Sequence, residues 1–408
     1  MRILIVNTRH YPGGGDSTYA FNLAELLRAN DHDVSFFAMQ AGNNLPDKNS
    51  DLFVSEIDYR EMNRRKSPLT AVQVAWRSIY SVEARRKFSA LLERVKPDIV
   101  HLQNIHAHIT PSVIFEAKKR NIPVAWTLHD YKLVCPNSHF LIDQTGEICE
   151  ACRGGQFWQA THRRCKKGSL LASGMASLEA YVHQWMRVSA NVNVFLCPSA
   201  FLRSRLLVNG FAENKTLHLP LFLPGGLFEP SVEEDGYFLF LGKLEGIKGI
   251  YPLIEAARLA PQIRVILAGR AEESLLQRIP DLLPSNVRYV GFKSGEELSS
   301  LRRRARAFVL PSLWYENQPF SILEAFALGK PVIASDLGGM RELVGDDERG
   351  LLTPAGEPDA LASAMIRLHE NPADAHQAGA RAYQYVLENH SAQKHYQGLL
   401  AIYQDILG

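Results

Sequence analysis

No stretch of this 408-residue chain approaches the roughly 18 consecutive apolar residues that a membrane-spanning helix needs. The first apolar run, residues 3–6, is short and no small-residue cleavage site follows it, so it predicts a buried strand and not a targeting segment. The chain also lacks an excess of charge of either sign, because its formal net charge is +2. A nucleic-acid partner is therefore not expected, and we expect the protein to stay in the cytoplasm.

Cysteine is scarce as well, at five residues, which excludes a small disulfide-bonded scaffold. Four of the five fall within 31 residues and include a Cys-x2-Cys pair: Cys135, Cys149, Cys152 and Cys165. In a cytosolic protein this spacing favours metal ligands over disulfides. The segment 136–168 is polar and glycine-rich, so burial is not expected to order it, and a structural zinc ion would account for both features.

Two alternatives to zinc stay open at these four cysteines, an iron–sulfur cluster and reduced thiols without a ligand. His162 lies in the same segment and is able to replace one cysteine as a zinc ligand. The fifth cysteine, Cys197, follows an apolar run and is expected in a hydrophobic core. Whatever it binds, the cluster is expected to be structural and to hold an insertion in place.

The chain is longer than a single hydrophobic core usually supports, so two domains are expected. In each half, short apolar runs alternate with helical patterns, which is typical of a parallel α/β sheet. The predicted strands cover residues 2–7, 34–37, 97–102, 123–128 and 192–196 in the first half and 237–241, 265–268, 287–290, 307–310 and 331–334 in the second. The sequence thus predicts an α/β protein of two Rossmann-like domains whose parallel sheets face each other across a cleft, with ligands at the carboxyl ends of the strands.

The domain limits follow from a Pro/Gly-rich stretch with an acidic run, which we expect to be a linker at about 220–235. The N-terminal domain is then predicted over 1–220, with a Cys-rich insertion over about 135–168. The C-terminal domain is predicted over 235–390. A last helix over 391–408 is a candidate for packing back on the N-terminal domain.

The most informative motif spans residues 310–326, where a strand ends, a turn follows and a helix begins near Phe320. Glu316 and Glu324 are eight residues apart, the first before this helix and the second in its second turn. The amides of Phe320 and Ser321 at the helix N-terminus suit an anionic or hydroxyl-rich ligand. The alternative is that Glu316 complements the helix dipole and that Glu324 is a solvated surface residue.

A second motif, residues 241–249, follows the first strand of the C-terminal half and carries Lys243 and Lys248 on a glycine-bearing turn. Two cations on a turn that allows close approach suit a diphosphate group. The alternative is a solvated loop with ordinary lysines. The presence of both motifs in one domain favours the ligand-binding interpretation of each.

Together these motifs resemble the retaining glycosyltransferases of family four, which have the GT-B architecture of two Rossmann-like domains. The resemblance covers nearly the whole chain, and its most specific element is the Glu-x7-Glu pattern. Pro311-Ser312 precedes that pattern, and Ala-Leu-Gly-Lys-Pro-Val-Ile-Ala-Ser, ending at Ser335, follows it. The resemblance implies that Glu324 binds the ribose hydroxyls of a nucleotide-sugar donor and that Glu316 contacts a hydroxyl of the donor sugar.

In the same family an Arg and a Lys neutralise the donor diphosphate, and these positions match Lys243 and Lys248. Lys243 thus replaces a bidentate guanidinium with a point charge. Pro319 stands where the family often has Gly, so this position donates no amide hydrogen bond. The C-terminal domain is then the donor-binding domain and the N-terminal domain lies on the acceptor side.

In the N-terminal half, the resemblance matches Gly14 and Gly15 to a glycine loop that approaches the donor phosphate or sugar. It matches His129 to a histidine that lies beside the donor sugar. Asn104 and His106 follow the third predicted strand and are acceptor-side candidates. Each has an ordinary structural alternative, as a turn glycine with positive φ or as a polar residue at a strand end.

No catalytic metal is expected. Asp31-His32-Asp33 resembles the metal-binding Asp-x-Asp of a different glycosyltransferase fold, but here it leads into the second predicted strand. The family resemblance implies front-face attack with retention, in which the leaving phosphate takes the acceptor's proton. Lys243 and Lys248 would stabilise that leaving group electrostatically.

A basic surface is predicted from residues 60–96, which carry ten Lys or Arg against three Glu with apolar residues interleaved. A second basic cluster, 163–167, precedes Leu170 and Leu171. Such a surface binds anionic lipid headgroups and would place the protein at the inner face of the membrane, close to lipid-linked sugar acceptors. The alternative is a set of solvated helical faces on a domain packed around its core.

The sequence therefore predicts a retaining glycosyltransferase of polysaccharide biosynthesis, with a UDP-, GDP- or ADP-linked donor and a glycan, a lipid-linked sugar or a small molecule as acceptor. Other functions on the same fold stay open: a sugar-nucleotide epimerase, a phosphorylase, or a catalytically inactive nucleotide-sugar-binding protein. An epimerase would need further acid–base carboxylates, and a pyridoxal-dependent phosphorylase a Schiff-base lysine motif that we do not find. Loss of activity is disfavoured because Glu316, Glu324, Lys248 and His129 are all intact.

Overall fold

The computed structural model describes residues 1–56, 76–77, 79–106, 108–225 and 229–408. The chain divides into two compact units. Unit 1 comprises Met1–Pro198, Leu202–Leu221 and His395–Gly408, and unit 2 comprises Ser199–Phe201 and Phe222–Lys394. The main boundary, between residues 221 and 222, thus lies at the start of the predicted linker.

Unit 1 is built around a parallel sheet of six strands. These are β1 Arg2–Val6, β2 Asp33–Phe37, β3 Ile99–Leu102, β4 Val124–Thr127, β7 Val194–Cys197 and β8 Thr216–His218, and their order is β2-β1-β3-β4-β7-β8. A separate antiparallel hairpin pairs β5 Leu141–Ile142 with β6 Glu147–Ile148. The described helices of the N-terminal half are α1 Gly15–Arg28, α2 Val82–Val95, α3 Ser112–Lys119, α4 Trp158–His162, α5 Leu170–Trp185 and α6 Ala200–Val208.

The central strands of unit 1 form because their apolar runs are buried on both faces, as in other parallel sheets. Ile3, Leu4 and Ile5 of β1 are completely buried. Helix α1 buries Tyr19 and Leu23 on the side that faces the core and leaves its polar side in solvent. This arrangement aligns the loops after β1, β3 and β4 at one edge of the sheet.

The last helix, α15 Ala392–Leu407, belongs to unit 1 from His395 onward. The hydroxyl of Tyr19 lies 3.0 Å from His395 Nε2, and the hydroxyl of Tyr403 lies 2.6 Å from His101 Nδ1. These groups are buried, and buried polar groups are stable only with such partners. Hydrogen bonds in the core therefore hold α15 in unit 1.

Unit 2 is built around a second parallel sheet of six strands. These are β9 Tyr237–Leu241, β10 Val265–Ala268, β11 Val287–Tyr289, β12 Ala305–Leu310, β13 Val332–Ser335 and β14 Gly350–Thr353, and their order is β11-β10-β9-β12-β13-β14. The helices are α7 Ile250–Leu259, α8 Glu273–Leu276, α9 Ile279–Leu282, α10 Gly295–Arg303, α11 Phe320–Ala327, α12 Gly338–Val344, α13 Pro358–Glu370 and α14 Pro372–Asn389. Alternate residues of β9 enter two different hydrophobic clusters, so both faces of this sheet are covered.

The prediction of two parallel α/β sheets is confirmed. The edge strands β8 and β14 were not among the predicted strands. β8 has only three residues and exposes His218, and β14 begins at Gly350. Neither β8 nor β14 is a continuous apolar run, which is the pattern that revealed most of the other strands of the two sheets.

The expectation that burial does not order the Cys-rich segment was wrong. Ile142, Phe157 and Ala160 form a small hydrophobic cluster with Cys152 and Cys165. These residues are thinly spread along the sequence, and only the β5–β6 hairpin and the packing of α4 on α5 bring them together. The segment therefore has a core of its own.

Within the described residues, no helix has the length and the apolar composition to cross a bilayer. Much of the predicted basic surface, residues 60–75 and 78, lies outside the described residues. Its remaining part includes α2, whose buried side carries Phe88, Leu91 and Leu92.

Candidate active site

Two loops of unit 2 meet at the carboxyl ends of the neighbouring strands β9 and β12. The amide of Leu313, in the loop after β12, donates to the carbonyl of Ile247, in the loop after β9, at 2.8 Å. At Gly249, where φ is 74°, a Cβ atom would lie 1.7 Å from the carbonyl oxygen of Pro311. Only glycine allows this approach, so the two predicted motifs are held against each other by backbone contact.

This contact places Lys248 beside Glu316. Lys248 Nζ donates to Glu316 Oε1 at 2.7 Å, and the same oxygen accepts from Ser312 Oγ at 2.8 Å and from Trp314 Nε1 at 3.0 Å. The ammonium also lies 4.9 Å from the centre of the Trp314 ring, within the range of a cation–π contact. Glu316 is 7% exposed, and a buried carboxylate needs donors of this kind.

Glu324 lies in the second turn of α11, and its Oε2 forms an ion pair with Arg302 Nη2 of α10 at 2.8 Å. Burial raises the pKa of Glu324, whereas the charge of Arg302 acts to lower it. The side chain is only 19% exposed, so the alternative of a solvated surface residue does not describe it. A carboxylate with one cationic partner keeps acceptor sites for a pair of hydroxyl groups.

Helix α11, which carries Glu324, begins four residues after Glu316. The helix begins at Phe320, directly after Pro319, and both Phe320 and Ser321 are half-buried. Amides in a first helical turn point along the axis toward an anionic ligand. The amide of Gly339 in α12 donates to the carbonyl of Glu316 at 2.8 Å, so the backbone at Glu316 is fixed by a second element.

Lys243 is not part of the Lys248–Glu316 contact. Its ammonium contacts the carboxylate of Glu245, two residues further on, and its side chain is 56% exposed. Of the two lysines predicted to bind the diphosphate, the structure therefore holds only Lys248 at the loop junction. An exposed lysine of this kind can turn toward a ligand at little cost, because a surface ion pair is weak.

In unit 1, Gly14 precedes α1 and Gly15 begins it, with Gly14 at φ 158° and ψ 172°. Asn104 Nδ2 donates to Asp16 Oδ2 at 3.2 Å. The loop after β3 is thereby joined to the first turn of α1. Two of the sequence-predicted positions, the glycine loop and Asn104, are thus neighbours at the carboxyl edge of this sheet.

His129 follows β4 and lies at the same edge of the sheet in unit 1. Its Nε2 is 2.7 Å from Gln103 Oε1, and its ring centre is 5.5 Å from that of Tyr19. Burial lowers the pKa of His129, although Asp16 and Asp130 act in the opposite direction. The ring is therefore neutral near pH 7, with Nε2–H donating to the Gln103 amide oxygen.

His106 lies near Asp130, with Nε2 at 3.8 Å from Asp130 Oδ1. Burial lowers the pKa of His106, and the charge of Asp130 opposes that shift. His106 also lines a cavity of about 430 Å³ in unit 1, together with Lys132 and His183. Of the two acceptor-side candidates, His106 therefore faces a cavity and Asn104 is bonded to Asp16.

Asp31 and Asp33 lie at the amino end of β2, where the amide of Asp33 donates to the carbonyl of Met1 at 2.9 Å. The glycine loop and His129 lie at the carboxyl ends of the strands of unit 1. The Asp-x-Asp sequence is therefore remote from the candidate residues of this unit, as expected from its place before the second strand.

The cysteines of the insertion are close enough to influence one another. The pKa of Cys152 is raised to about 12 and that of Cys165 to about 11, first by burial and then by the neighbouring Cys135 and Cys149. None of the five cysteines forms a disulfide. Among the described residues, however, no group of three or more His, Cys, Asp or Glu side chains is arranged to hold a metal ion. Zinc at these four positions stays a prediction.

Sequence reasoning missed Arg302 and Gln103. Arg302 lies in the last turn of a helix, 22 residues before Glu324, where a basic residue is ordinary because it complements the helix dipole. Nothing in the sequence links it to that glutamate. Gln103 could have been found, because it directly follows β3 at the carboxyl edge, the same argument that singled out Asn104.

Both halves of the chain match family models. Residues 13–221 match the model described as Glycosyltransferase Family 4, and residues 228–385 match the model described as Glycosyl transferases group 1. The chain is 25% identical over 354 residues to an uncharacterized 42.6 kDa protein in the cps region of Klebsiella pneumoniae, covering 84% of this chain and 87% of that protein. It is 32% identical over 138 residues to the phosphatidyl-myo-inositol mannosyltransferase of Mycobacterium leprae (strain TN), but this match covers only 33% of this chain and 37% of the relative.

A solved structure shows the same fold over the whole chain. The Anabaena protein Alr3699/HepE, determined in complex with UDP-glucose, superposes with a TM-score of 0.64 and 17% sequence identity. The alignment covers 99% of this chain and 100% of that one. The fold of the chain is thus that of the GT-B glycosyltransferases.

The chain belongs to glycosyltransferase family 4, whose model matches about half of it while the second glycosyltransferase model matches most of the rest. The resemblance seen in the sequence is confirmed. The protein is a retaining enzyme that transfers a sugar from a nucleotide-sugar donor to an acceptor.

Proposed function

We propose that this enzyme transfers a hexosyl group from a UDP-, GDP- or ADP-linked sugar to a lipid-linked or growing glycan acceptor in polysaccharide biosynthesis, at the cytoplasmic face of a membrane. The observation that carries the proposal is the Lys248–Glu316 hydrogen bond at the junction of two loops. It sets a cation and a carboxylate side by side at the carboxyl ends of parallel strands, where such sheets bind nucleotides.

Each donor-side residue has a role in this proposal. Glu324, in the second turn of α11, is proposed to accept hydrogen bonds from the ribose hydroxyls, and Arg302 to hold it in place. Glu316 is proposed to contact a hydroxyl of the donor sugar. The amides of Phe320 and Ser321 face the diphosphate in this arrangement, as at other helix N-termini.

Lys248 is the residue we propose to stabilise the departing nucleotide. When the bond to the sugar breaks, negative charge grows on the β-phosphate, and a nearby preorganised cation lowers the energy of that state. The ammonium of Lys243 is exposed and can add a second charge. The leaving phosphate is proposed to take the proton of the attacking acceptor hydroxyl on the same face, which accounts for retention without a catalytic metal.

The unit 1 residues are proposed to contact the sugar and the acceptor. Gly14 and Gly15 offer backbone without side chains for the donor phosphate or sugar. His129, neutral near pH 7, is able to donate or accept a hydrogen bond at the donor sugar. Asn104 and His106 are proposed on the acceptor side, and His106 lines a cavity in this unit.

The acceptor proposal draws on the relatives. The Mycobacterium leprae relative is named for a lipid acceptor, phosphatidyl-myo-inositol, and the Klebsiella pneumoniae relative for its cps region. The basic residues around the N-terminal half would keep the enzyme close to anionic lipid. A lipid-linked acceptor sugar at the inner membrane face fits both observations.

The test is a donor panel followed by a transfer assay. UDP-, GDP- and ADP-sugars are compared by thermal shift, and the stabilising donor is then incubated with lipid-linked oligosaccharide, with nuclear magnetic resonance reporting the anomeric configuration. Stabilisation by one nucleotide class and an unchanged anomeric configuration would support the proposal. Absence of stabilisation by every donor would overturn it, and an epimerised sugar nucleotide as the product would replace it with the epimerase alternative.

We also propose that Cys135, Cys149, Cys152 and Cys165 hold a structural zinc ion. Four neighbouring thiols without a disulfide, three of them buried, support this assignment. The four thiols would have to turn toward a common centre, because among the described residues no group of three or more His, Cys, Asp or Glu side chains is arranged to hold a metal ion. Burial raises the pKa of Cys135, Cys152 and Cys165 and so disfavours their thiolates, and zinc would offset this by binding the deprotonated form.

A further inference from the structure

Helix α5 of unit 1 carries small residues on its buried side and large apolar residues on its exposed side. The buried residues are Ser173, Ala176 and Ser177. Ser177 Oγ donates to the carbonyl of Phe157 at 2.7 Å and accepts from Thr161 Oγ1 at 2.8 Å, so hydrogen bonds fix this side to the Cys-rich segment. An ordinary amphipathic surface helix has the opposite arrangement, because it buries its large apolar residues against the hydrophobic core.

The exposed side of α5 is an apolar stripe. Leu171, Leu178 and Trp185 repeat every seven residues and are 76%, 47% and 84% exposed. Met175 and Val182 occupy the positions between them and are half-buried. This spacing of three and four residues puts all five on one side of the helix. Single exposed apolar residues are ordinary, but a continuous row of them marks an interaction surface.

A groove widens the stripe near the C-terminal end of α5. Trp76, which is 59% exposed, lies with Tyr80 and Val82 opposite Val182 and Trp185, around a cavity of about 610 Å³. His183 Nε2 bonds to the carbonyl of Ile79 at 2.9 Å and joins the two sides. Two exposed tryptophans at one groove are typical of a surface that sits at a membrane–water boundary.

The exposed charges at the two ends of the stripe are basic, and the groove is lined by one ion pair, Arg77 with Glu83 at 2.6 Å. Exposed Arg163, Arg164 and Lys167 precede the N-terminal end of α5, and exposed Arg187 follows its C-terminal end. The helix itself contains one charged residue, Glu179, which is 13% exposed and paired with Lys132 at 2.8 Å. The stripe is therefore uncharged and has basic residues at both ends.

We propose that this α5 face, the stripe and its groove, docks on an anionic lipid bilayer. Apolar side chains would enter the headgroup region while the flanking cations contact lipid phosphates, as in interfacial helices. A second copy of the chain is a poorer occupant, because two such faces brought together would set basic residues against basic residues. The inference builds on the proposed lipid-linked acceptor, but docking can be measured without any acceptor.

The experiment measures co-sedimentation of the full chain with vesicles of phosphatidylcholine, alone or mixed with phosphatidylglycerol. The test variant combines Leu171→Gln, Leu178→Gln and Trp185→Gln, and Gln is a good helix former, so α5 should persist. The matched control combines Leu259→Gln, Phe292→Gln and Leu387→Gln, three apolar residues of unit 2 that are 53%, 61% and 47% exposed.

Wild type and control should bind vesicles that contain phosphatidylglycerol. The affinity of the test variant for these vesicles should be lower by at least about tenfold. Arg163→Gln with Arg164→Gln should weaken binding to anionic vesicles only.

No binding by wild type, or equal binding by the test variant, would overturn the proposal. A wild-type dimer that the test variant converts to monomer would instead assign the face to a second copy. Calorimetry of donor binding on the test variant separates these results from a failure of the proposed transferase function, because none of the residues proposed to bind the donor belongs to α5.

Discussion

Lys248 and Glu316, 68 residues apart in the chain, share a hydrogen bond of 2.7 Å inside unit 2. The carboxylate holds the ammonium at the loop junction before any donor arrives, so the cation is already oriented. A preorganised charge stabilises a leaving group better than one that must be ordered during the reaction, because the reorganisation has already taken place. A lysine on a solvated loop would lack this advantage.

Replacing Lys248 by Ala should lower turnover by about 10²-fold or more, because one oriented charge on the leaving phosphate is lost. Turnover is measured with saturating donor. Lys293→Ala is the matched control, since Lys293 is also 27% exposed and also pairs with a glutamate, Glu297. A fall of less than about threefold in the Lys248 variant would require the phosphate role to be withdrawn.

Replacing Glu324 by Ala should weaken nucleotide-sugar binding by about tenfold to a hundredfold, because a charged hydrogen-bond acceptor for the ribose is removed. Calorimetry with the preferred donor gives the affinity, and circular dichroism checks that the fold is retained. Glu324→Gln keeps the shape and should show an intermediate loss. Unchanged donor affinity in the Ala variant would remove the support for this assignment.

Arg302→Met should make donor binding more sensitive to acid. Burial raises the pKa of Glu324 and Arg302 lowers it, so removing Arg302 leaves that pKa higher. If the ionised carboxylate binds the ribose, affinity falls as pH drops through the pKa of Glu324, and this fall should begin at a higher pH in the variant. Donor affinity measured from acid to neutral pH is the readout, with Arg303→Met, the next residue along α10, as the control. Superimposable profiles would contradict a positioning role.

Gly249→Ala should disrupt the loop junction. Its Cβ would lie 1.7 Å from the carbonyl oxygen of Pro311, whereas Gly291, which has the same φ of 74°, has no atom within 4 Å of a Cβ built there. Gly291→Ala should therefore cost only about 1 kcal/mol of folding free energy, from the left-handed backbone alone. Gly249→Ala should cost at least about 3 kcal/mol, because the backbone must move. Chemical denaturation of both variants gives the difference, and equal costs would mean that the contact between the loops is not needed.

The sequence predicted those elements best whose pattern is continuous. The predicted bounds of the strands Tyr237–Leu241 and Val265–Ala268 coincide with the observed ones, because each is a buried apolar run with a clear end. The edge strand Thr216–His218 shows no such run, because one of its faces meets solvent. Edge strands that lack an apolar run, such as this one, are therefore not revealed by single-sequence patterns, whereas the edge strands β2 and β11 are mostly apolar and were predicted.

The candidate site was predicted residue by residue but not as a set of contacts. Glu316 and Lys248 each stood out from a local motif, whereas their hydrogen bond depends on the backbone approach that Gly249 permits. The Arg302–Glu324 pair depends on how α10 packs beside α11 and has no local signal. Long-range pairs of this kind follow from tertiary packing, which spacing along the chain does not encode.

The cysteine cluster provides the last prediction, because it separates a structural metal from a catalytic one. If Cys135, Cys149, Cys152 and Cys165 bind zinc, protein purified under reducing conditions should contain about one zinc equivalent per chain by elemental analysis. Mild EDTA should leave catalysis intact, because a closed thiolate site resists chelation and the proposed mechanism uses no metal at the diphosphate.

Cys149→Ser with Cys152→Ser should remove the zinc and make the 136–168 segment more sensitive to proteases, because metal-binding energy there is folding energy. The segment also has a small hydrophobic cluster of its own, so the variant should lose local order without unfolding unit 1. Zinc-free wild-type protein would exclude the metal, and a requirement for added Mg²⁺ or Mn²⁺ would instead contradict the metal-free mechanism and return attention to Asp31 and Asp33.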